Sequence, residues 1–306
     1  MHEKGMAMRV LMSGLGDIAR KAYLPVLASM PEIELHLTTR DPAVLAEVGA
    51  QYRLPHRHDS VAAALATTRF DAAFVHSATV AHPATVEALL DRDVAVFVDK
   101  PLADTLAEAT RLVALAESRQ VLLAVGFNRR FAPDYASLLD RPRSFILLQK
   151  HRRAQPDTPR RVVFDDFIHV VDTLRFLAPG ATPRMTTETI VRDGMLHGVT
   201  LTLAGDGLHA IGTMQRMSAL DEERLDVIGD GSKTSVVNLS DRYTHDDGET
   251  RHRRGDWTPV VRQRGFEAMC ADFLTGVREG RATASEDILK THRLCESIVA
   301  HAERVR

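Results

Sequence analysis

Cysteine is scarce in this chain, with only Cys270 and Cys295 among 306 residues. Their spacing suits no metal motif, and free thiols in a reducing compartment are expected. No excess of either charge is present: 39 Lys and Arg against 41 Asp and Glu give a formal net charge of −2. That balance gives no electrostatic pull toward nucleic acid or an anionic membrane. No stretch approaches the apolar length of a membrane span. The opening "MHEKGMAMRV" has no apolar core of signal-peptide length. The expected location is cytoplasmic, with residues 1–7 as a loose leader and Met8 as an alternative start. Internal repeats and low-complexity tracts are also missing.

What is present is the material of an ordinary soluble protein, 44% hydrophobic and 26% charged. The length favours two domains. Residues 1–125 alternate short apolar runs with amphipathic stretches: "MRVLMSG", "IELHLTTR", "DAAFVHSA", "VAVFVD" and "VLLAVGF" as strands, with helices between them. Such alternation implies right-handed βαβ units and a doubly wound parallel sheet of the Rossmann type. Residues 126–306 change rhythm. One helix-like segment, "DDFIHVVDTLRFLA", precedes runs that read as strands separated by "DG" and "GDG" turns, and two helices close the chain. This half is expected to be α+β, built on a large open, mainly antiparallel sheet. Ser285 is expected to cap the last helix.

"SGLGDIA" places Gly14, Gly16 and Ala19 in G-x-G-x-x-A spacing between the first strand and the first helix. Gly14 permits the tight turn, Gly16 lets backbone approach a pyrophosphate, and Ala19 allows close packing. Asp17 and Ile18 lie in the same turn. The second strand ends in "LTTR", with no acid before Asp41. Thr39 and Arg40 suit a ribose 2′-phosphate, because guanidinium bonds phosphate oxygens bidentately, so NADP(H) is favoured and NAD(H) remains possible. The competing reading leaves Arg40 in solvent or stacked on adenine, with Asp41-Pro42 opening the next helix.

Several motifs in order, "GLGDIA", "SATVAHPATVEALL", "DKPLA", "VGFNRRFAP" and "DDFIHVVDTLRFL", make the chain resemble the Gfo/Idh/MocA family (glucose–fructose oxidoreductase, inositol dehydrogenase, rhizopine catabolism) over most of its length. The resemblance implies an NAD(P)-dependent oxidoreductase acting on CH–OH or C=O groups of sugars, cyclitols or related small molecules. It implies a Rossmann domain followed by a sheet domain that often mediates dimerisation, so a homo-oligomer, dimer or tetramer, is expected. "DKP" corresponds to the family's E-K-P, with Asp99 in place of Glu. Lys100 is similar to the lysine that lies near nicotinamide and substrate. The family's acid and histidine correspond to Asp165 and His169, with Phe167 where a glycine is common. A shared helix would put both on one face, where His169 moves the substrate proton and Asp165 orients it or binds a hydroxyl. Asp172 is a further substrate-binding candidate. Ser77, Ala78 and Thr79 are expected to border the cofactor. His82 joins them there or merely starts the next helix, and Asn128 bonds ribose or nicotinamide. "LLQKHRRAQPDTPRR" offers Lys150 or His151 as a substrate contact and its arginines to an acidic or phosphate-bearing substrate, or is a solvated loop; "RHRRG" is expected to be a solvated loop. No residue is assigned to a metal. Two further readings stay open: a non-catalytic NADP(H)-binding sensor, and a reductase of a dihydrodiol, tetrapyrrole or imine.

Overall fold

The computed structural model describes residues 7–179 and 184–305. Residues 1–6 of the expected leader lie outside the described residues; Ala7 is exposed and belongs to no regular element. The chain forms two compact units. One comprises the residues up to Gly126 together with Phe266–Leu289, the other Phe127–Gly265 together with the residues from Lys290 on. The sequence suggests one division, after residue 125. The compact units also draw Phe266–Leu289 out of the C-terminal half.

The first unit holds a six-stranded sheet: β1 (Met8–Ser13), β2 (Ile33–Thr38), β3 (Arg57–His58), β4 (Ala72–Val75), β5 (Ala95–Asp99) and β6 (Leu123–Gly126), in the order β3-β2-β1-β4-β5-β6. Every pairing is parallel. The apolar runs of β1, β4 and β5 are buried almost throughout, as strands covered on both faces must be. Between "LTTR" and "DAAFVHSA" the structure adds β3 and the helix Val61–Thr67, which the sequence does not announce. Two residues are too few to show a period, and the helix buries only Ala64.

The helix Phe266–Glu279 belongs to this unit because of its aromatic side chains. Phe266 meets Tyr23 edge-on at 5.1 Å between ring centroids, and Phe273 meets Phe74 at 5.2 Å and Phe97 at 5.5 Å. Each such pair is worth about 0.5–1.5 kcal/mol beyond area burial. Thr283 completes the attachment: its hydroxyl accepts from Leu123 N at 2.8 Å and donates to Val121 O at 3.0 Å.

The second unit is built on eight strands: β7 (Phe145–His151), β8 (Arg184–Arg192), β9 (Met195–Gly205), β10 (Leu208–Gln215), β11 (Glu222–Gly229), β12 (Ser232–Val237), β13 (Asp241–His245) and β14 (Glu249–Arg253), in the order β14-β13-β12-β11-β7-β10-β9-β8. Only β7 and β10 pair in parallel. The arginines of "RHRRG" correct one expectation: residues 251–253 belong to the edge strand β14 rather than to a loop, with every side chain of that strand exposed. Backbone pairing with β13 needs no buried face. The helix Ile168–Leu177 lies on the sheet over Gly212, where a Cβ would stand 2.3 Å from Val170 Cγ1 and 2.8 Å from Leu174 Cδ1. A second correction concerns Ser285. It lies inside the helix Ser285–Arg304, whose first bond runs from Ile288 N to Ala284 O, and its Oγ has no hydrogen-bond partner among the described residues. Among the described residues, no helix is long and apolar enough to cross a membrane.

Candidate active site

The carboxyl ends of β1, β2, β4 and β5 carry the residues that the sequence assigns to the cofactor, Asn128 excepted. Gly14 has φ +90°, and a Cβ there would come 2.6 Å from Ser77 N and 2.7 Å from His76 C. Only glycine lets the β1 turn nest against the end of β4. The turn is pinned by Gly14 N donating to Thr38 O at 2.9 Å and His76 N donating to Ser13 O at 2.7 Å. Gly16 is different: a Cβ there would meet nothing within 4 Å, so this face of the turn is open. Arg20 N then donates to Gly16 O, and the first helix begins. Ala19 is fully buried beneath it, Ile18 is exposed, and Asp17 is exposed and paired with Lys21 at 2.7 Å.

Next to this turn, the Ser77 hydroxyl is buried without a hydrogen-bond partner among the described residues. Ala78 is exposed and Thr79 half-buried. An open glycine turn beside an orphaned hydroxyl fits a pyrophosphate, whose oxygens accept from backbone N–H and from Ser Oγ. His82 starts the helix His82–Leu90 and is buried; its Nδ1 lies 2.8 Å from Pro101 O and its Nε2 2.9 Å from Ser77 O. Its ring ties the loop after β4 to the loop after β5 rather than facing a ligand. At the end of β2, Thr39 is half-buried and Arg40 exposed, with no ion pair for Arg40 among the described residues. Asp41 caps the helix Pro42–Gln51, its Oδ1 accepting from Ala43 N at 2.9 Å and Val44 N at 3.2 Å.

Asp99 and Lys100 follow at the end of β5, both half-buried. The Tyr23 hydroxyl donates to Asp99 Oδ1 at 2.8 Å. Burial raises the Asp99 carboxyl above its usual range, against the opposing pull of Lys100 and of the tyrosine bond. Gly126, paired with Asp99 across β5 and β6, leaves room for this contact; a Cβ there would stand 2.9 Å from the Tyr23 hydroxyl. Tyr23 is not marked in the sequence, where it reads as one more apolar residue of a helix and is joined to Asp99 only across 76 positions. His76 is likewise unmarked in the sequence. That imidazole lies tilted against the Tyr23 ring at 3.9 Å between centroids, has both nitrogens unpartnered among the described residues, and is pushed down to about 3 by burial and by His82.

The second unit holds the remaining candidates. Asp165 lies in a widened π turn, Val163–Phe167, that runs into the helix carrying His169. The wider turn loosens the four-residue register expected of a uniform α-helix. Asp165 is exposed, 3.9 Å from Arg161, and His169 is half-buried. The neighbouring Asp166 is the inward-facing acid. It lies 3.1 Å from Lys150 Nζ, takes two bonds from Arg152 and one from Arg216, and is held far below the usual carboxylate range by those cations against its burial. Lys150 is buried between Asp166 and Glu223, with Glu223 at 3.6 Å. Burial and the Arg129 guanidinium bring its ammonium down to about 8. Glu223 takes a bidentate pair from Arg129 and a bond from Tyr135, and despite complete burial is lowered to about 2.

Lys150 is therefore a member of a buried ion network. The guanidinium groups of Arg152, Arg160 and Arg161 are likewise paired, with Asp166, Glu296 and Asp157. His151 Nδ1 accepts from Gln215 N at 3.1 Å. Asp172 is buried and takes bonds from Arg130 Nε at 2.9 Å and Thr291 Oγ1 at 3.3 Å. Asn128 is buried and donates to Arg264 O at 2.9 Å.

Known proteins match both units. The model described as "Oxidoreductase family, NAD-binding Rossmann fold" matches residues 8–127, and that described as "YceM-like, C-terminal domain" matches residues 134–247. The chain is 34% identical to YceM of Salmonella typhimurium over 95% of this chain and 97% of that protein. It is 33% identical to a myo-inositol dehydrogenase of Streptomyces leeuwenhoekii over 53% of this chain and 51% of that one. Its fold matches the crystal structure of a Gfo/Idh/MocA family oxidoreductase from Vibrio cholerae with a TM-score of 0.92 at 32% identity, covering 97% and 99% of the two chains. With the glycine turn, the orphaned Ser77 hydroxyl and Lys100 on one sheet edge, and with these matches over nearly its whole length, the chain belongs to the Gfo/Idh/MocA family of NAD(P)-dependent oxidoreductases.

Proposed function

We propose that this protein is an NADP(H)-preferring dehydrogenase or reductase acting on a carbinol or carbonyl carbon of a sugar, cyclitol or related small molecule. The observation that carries the reading is Lys100, placed directly after β5 on the sheet edge that also holds the Gly14 turn and the unpartnered Ser77 hydroxyl. NADP(H), when bound, supplies or takes the hydride. Lys100 stabilises the oxygen that gains negative charge as the carbon–hydrogen bond breaks or forms. His169 takes the hydroxyl proton during oxidation and returns it during reduction. Asp165 orients that imidazole or bonds a substrate hydroxyl. The preference for NADP(H) is supported by the chemistry at the end of β2: Asp41 is committed to a helix cap, leaving Arg40 and Thr39 to meet the ribose.

The test is a panel of sugars, inositols and ketones, with dihydrodiols and imines as a second arm, followed through NADPH and NADH absorbance. Turnover of polyhydroxylated substrates, faster with NADPH, is expected. Turnover confined to the second arm would change the substrate class. Tight cofactor binding with no turnover on either arm would replace the enzyme by a sensor. We also propose a homo-oligomer formed through the second unit's sheet, supported by the exposed apolar side chains of Ile190, Met195 and Ile228, and a cytoplasmic location; light scattering in solution and cell fractionation test the two.

A further inference from the structure

On the β2–β3 side of the first sheet, on the strand that runs on to Thr39 and Arg40, three side chains converge that no sequence motif joins. Glu34 and His36 project from the same face of β2, two residues apart. His56 stands just before β3, where its carbonyl accepts from Leu37 N at 2.9 Å. One ligand-competent atom from each of Glu34, His36 and His56 lies within 4.8 Å of the other two. His36 Nε2 is already 2.9 Å from Glu34 Oε1, and the rings of His36 and His56 are stacked at 4.4 Å. We propose that Glu34, His36 and His56 bind a divalent ion of the zinc class.

The donor set is two imidazole nitrogens and one carboxylate oxygen. Three protein ligands of that kind suit zinc and its late first-row neighbours, with a fourth position left to water. With metal–ligand distances of about 2.0–2.1 Å, adjacent ligand atoms of a tetrahedral ion lie about 3.3 Å apart. Closing the triad therefore needs up to about 1.5 Å of movement and a turn of the His56 ring out of its stack on His36, which the exposed His56 and half-buried Glu34 can make. His36 is the fixed member: it is buried, and Phe70 packs edge-on against its ring at 5.0 Å.

A fourth histidine supplies the outer support. His58 Nε2 lies 3.0 Å from His36 Nδ1. Without metal, His58 donates to His36 Nδ1 while His36 Nε2–H donates to Glu34. With metal, His36 Nε2 gives up its proton to solvent, its Nδ1 takes the proton that His58 Nε2 held, and His58 takes one from solvent at its own Nδ1, so that His36 Nδ1–H now donates to His58 Nε2. That reversal fixes the tautomer and ring plane a ligating imidazole needs. One contact opposes the ion: Arg9 Nε lies 3.7 Å from Glu34 Oε1. Arg9 is exposed and Glu34 half-buried there, and such surface pairs are weak, about 0–1 kcal/mol.

The test uses the full chain without an affinity tag, stripped with EDTA. Zinc is titrated by calorimetry, and cobalt(II) by visible absorption, which reports ligand geometry independently of turnover. One equivalent per chain is expected, with zinc displacing cobalt. H56A and E34Q, at accessible positions, should each weaken binding at least about tenfold, and H58Q about 10- to 100-fold as an outer partner. H36N should remove it; if that variant fails to fold by circular dichroism, H56A and E34Q decide the matter. Binding of less than one equivalent, or binding unchanged in both H56A and E34Q, overturns the proposal.

Discussion

The Tyr23 hydroxyl donates to Asp99 Oδ1 at 2.8 Å, holding the acid that precedes Lys100. The tyrosine that meets this carboxylate is completely buried. Hydrogen bonds to charged groups contribute about 1.5–3 kcal/mol, so Y23F should lower stability by about that amount in urea unfolding. The pH dependence has a definite sign. The carboxyl of Asp99 is raised in the folded chain, so the fold binds this proton more tightly than the unfolded chain does. The resulting stabilisation is full below the unfolded pKa and disappears as pH rises through the folded one. Y23F removes a bond that serves the ionised form best. Its deficit should therefore grow from acid to neutral pH, and a deficit that is flat with pH would contradict this account.

Arg40 makes a second prediction, about cofactor choice. R40A should lower kcat/KM with NADPH by about 10- to 100-fold, the loss of one or two charge-assisted bonds to a phosphate, and leave NADH nearly unaffected. Equal losses with the two cofactors would show that Arg40 does not meet the 2′-phosphate.

Lys100 and His169 are expected to act on turnover more than on binding. K100A should reduce kcat by about 10²–10³-fold, the scale of removing one preorganised electrostatic donor. H169A should reduce kcat by about 10²–10⁴-fold and flatten one limb of the pH profile. Single-turnover measurements separate these losses from slowed product release. Unchanged turnover in both variants would remove the assigned roles.

The buried network of the second unit predicts acid sensitivity. Lys150, Arg129, Arg152 and Arg216 are gathered around Asp166 and Glu223, so cations outnumber carboxylates. D166N would strand Arg152 and Arg216 and leave Lys150 to Glu223 alone, and breaking a buried pair from one side costs about 3–5 kcal/mol. Glu223 is lowered to about 2 and Asp166 further still. Their stabilisation is present above the unfolded carboxylate values of about 4 and is lost as pH falls through the folded ones. Lys150 titrates with the opposite consequence. Its folded value, lowered to about 8, means that the charged form costs stability below that pH, and the cost is relieved as pH rises toward the unfolded value of about 10.4. K150M should therefore cost less than D166N. Urea unfolding of the wild type and the two variants at several pH values checks both statements.

The sequence by itself determined the elements whose signal is local. The glycine turn is legible because φ at Gly14 and the approach to Ser77 exclude any side chain, and the alternation of strand and helix fixes a parallel sheet. Asp41 is legible as an alternative cap because an Asx-Pro start is written in adjacent residues. Tertiary structure decided what long-range partners do. Lys150 reads as a ligand at a strand end until β11 places Glu223 opposite it in register and the π turn points Asp166 inward. Asn128 and Asp172 read as polar contacts for a ligand until Arg264, Arg130 and Thr291 satisfy them. Tyr23, His76 and the Glu34–His36–His56 triad give no local sign at all. The physical reason is common to these cases: a polar side chain in an apolar setting is defined by the partner that satisfies it, and that partner is chosen by strand order and packing, which neighbouring residues do not encode.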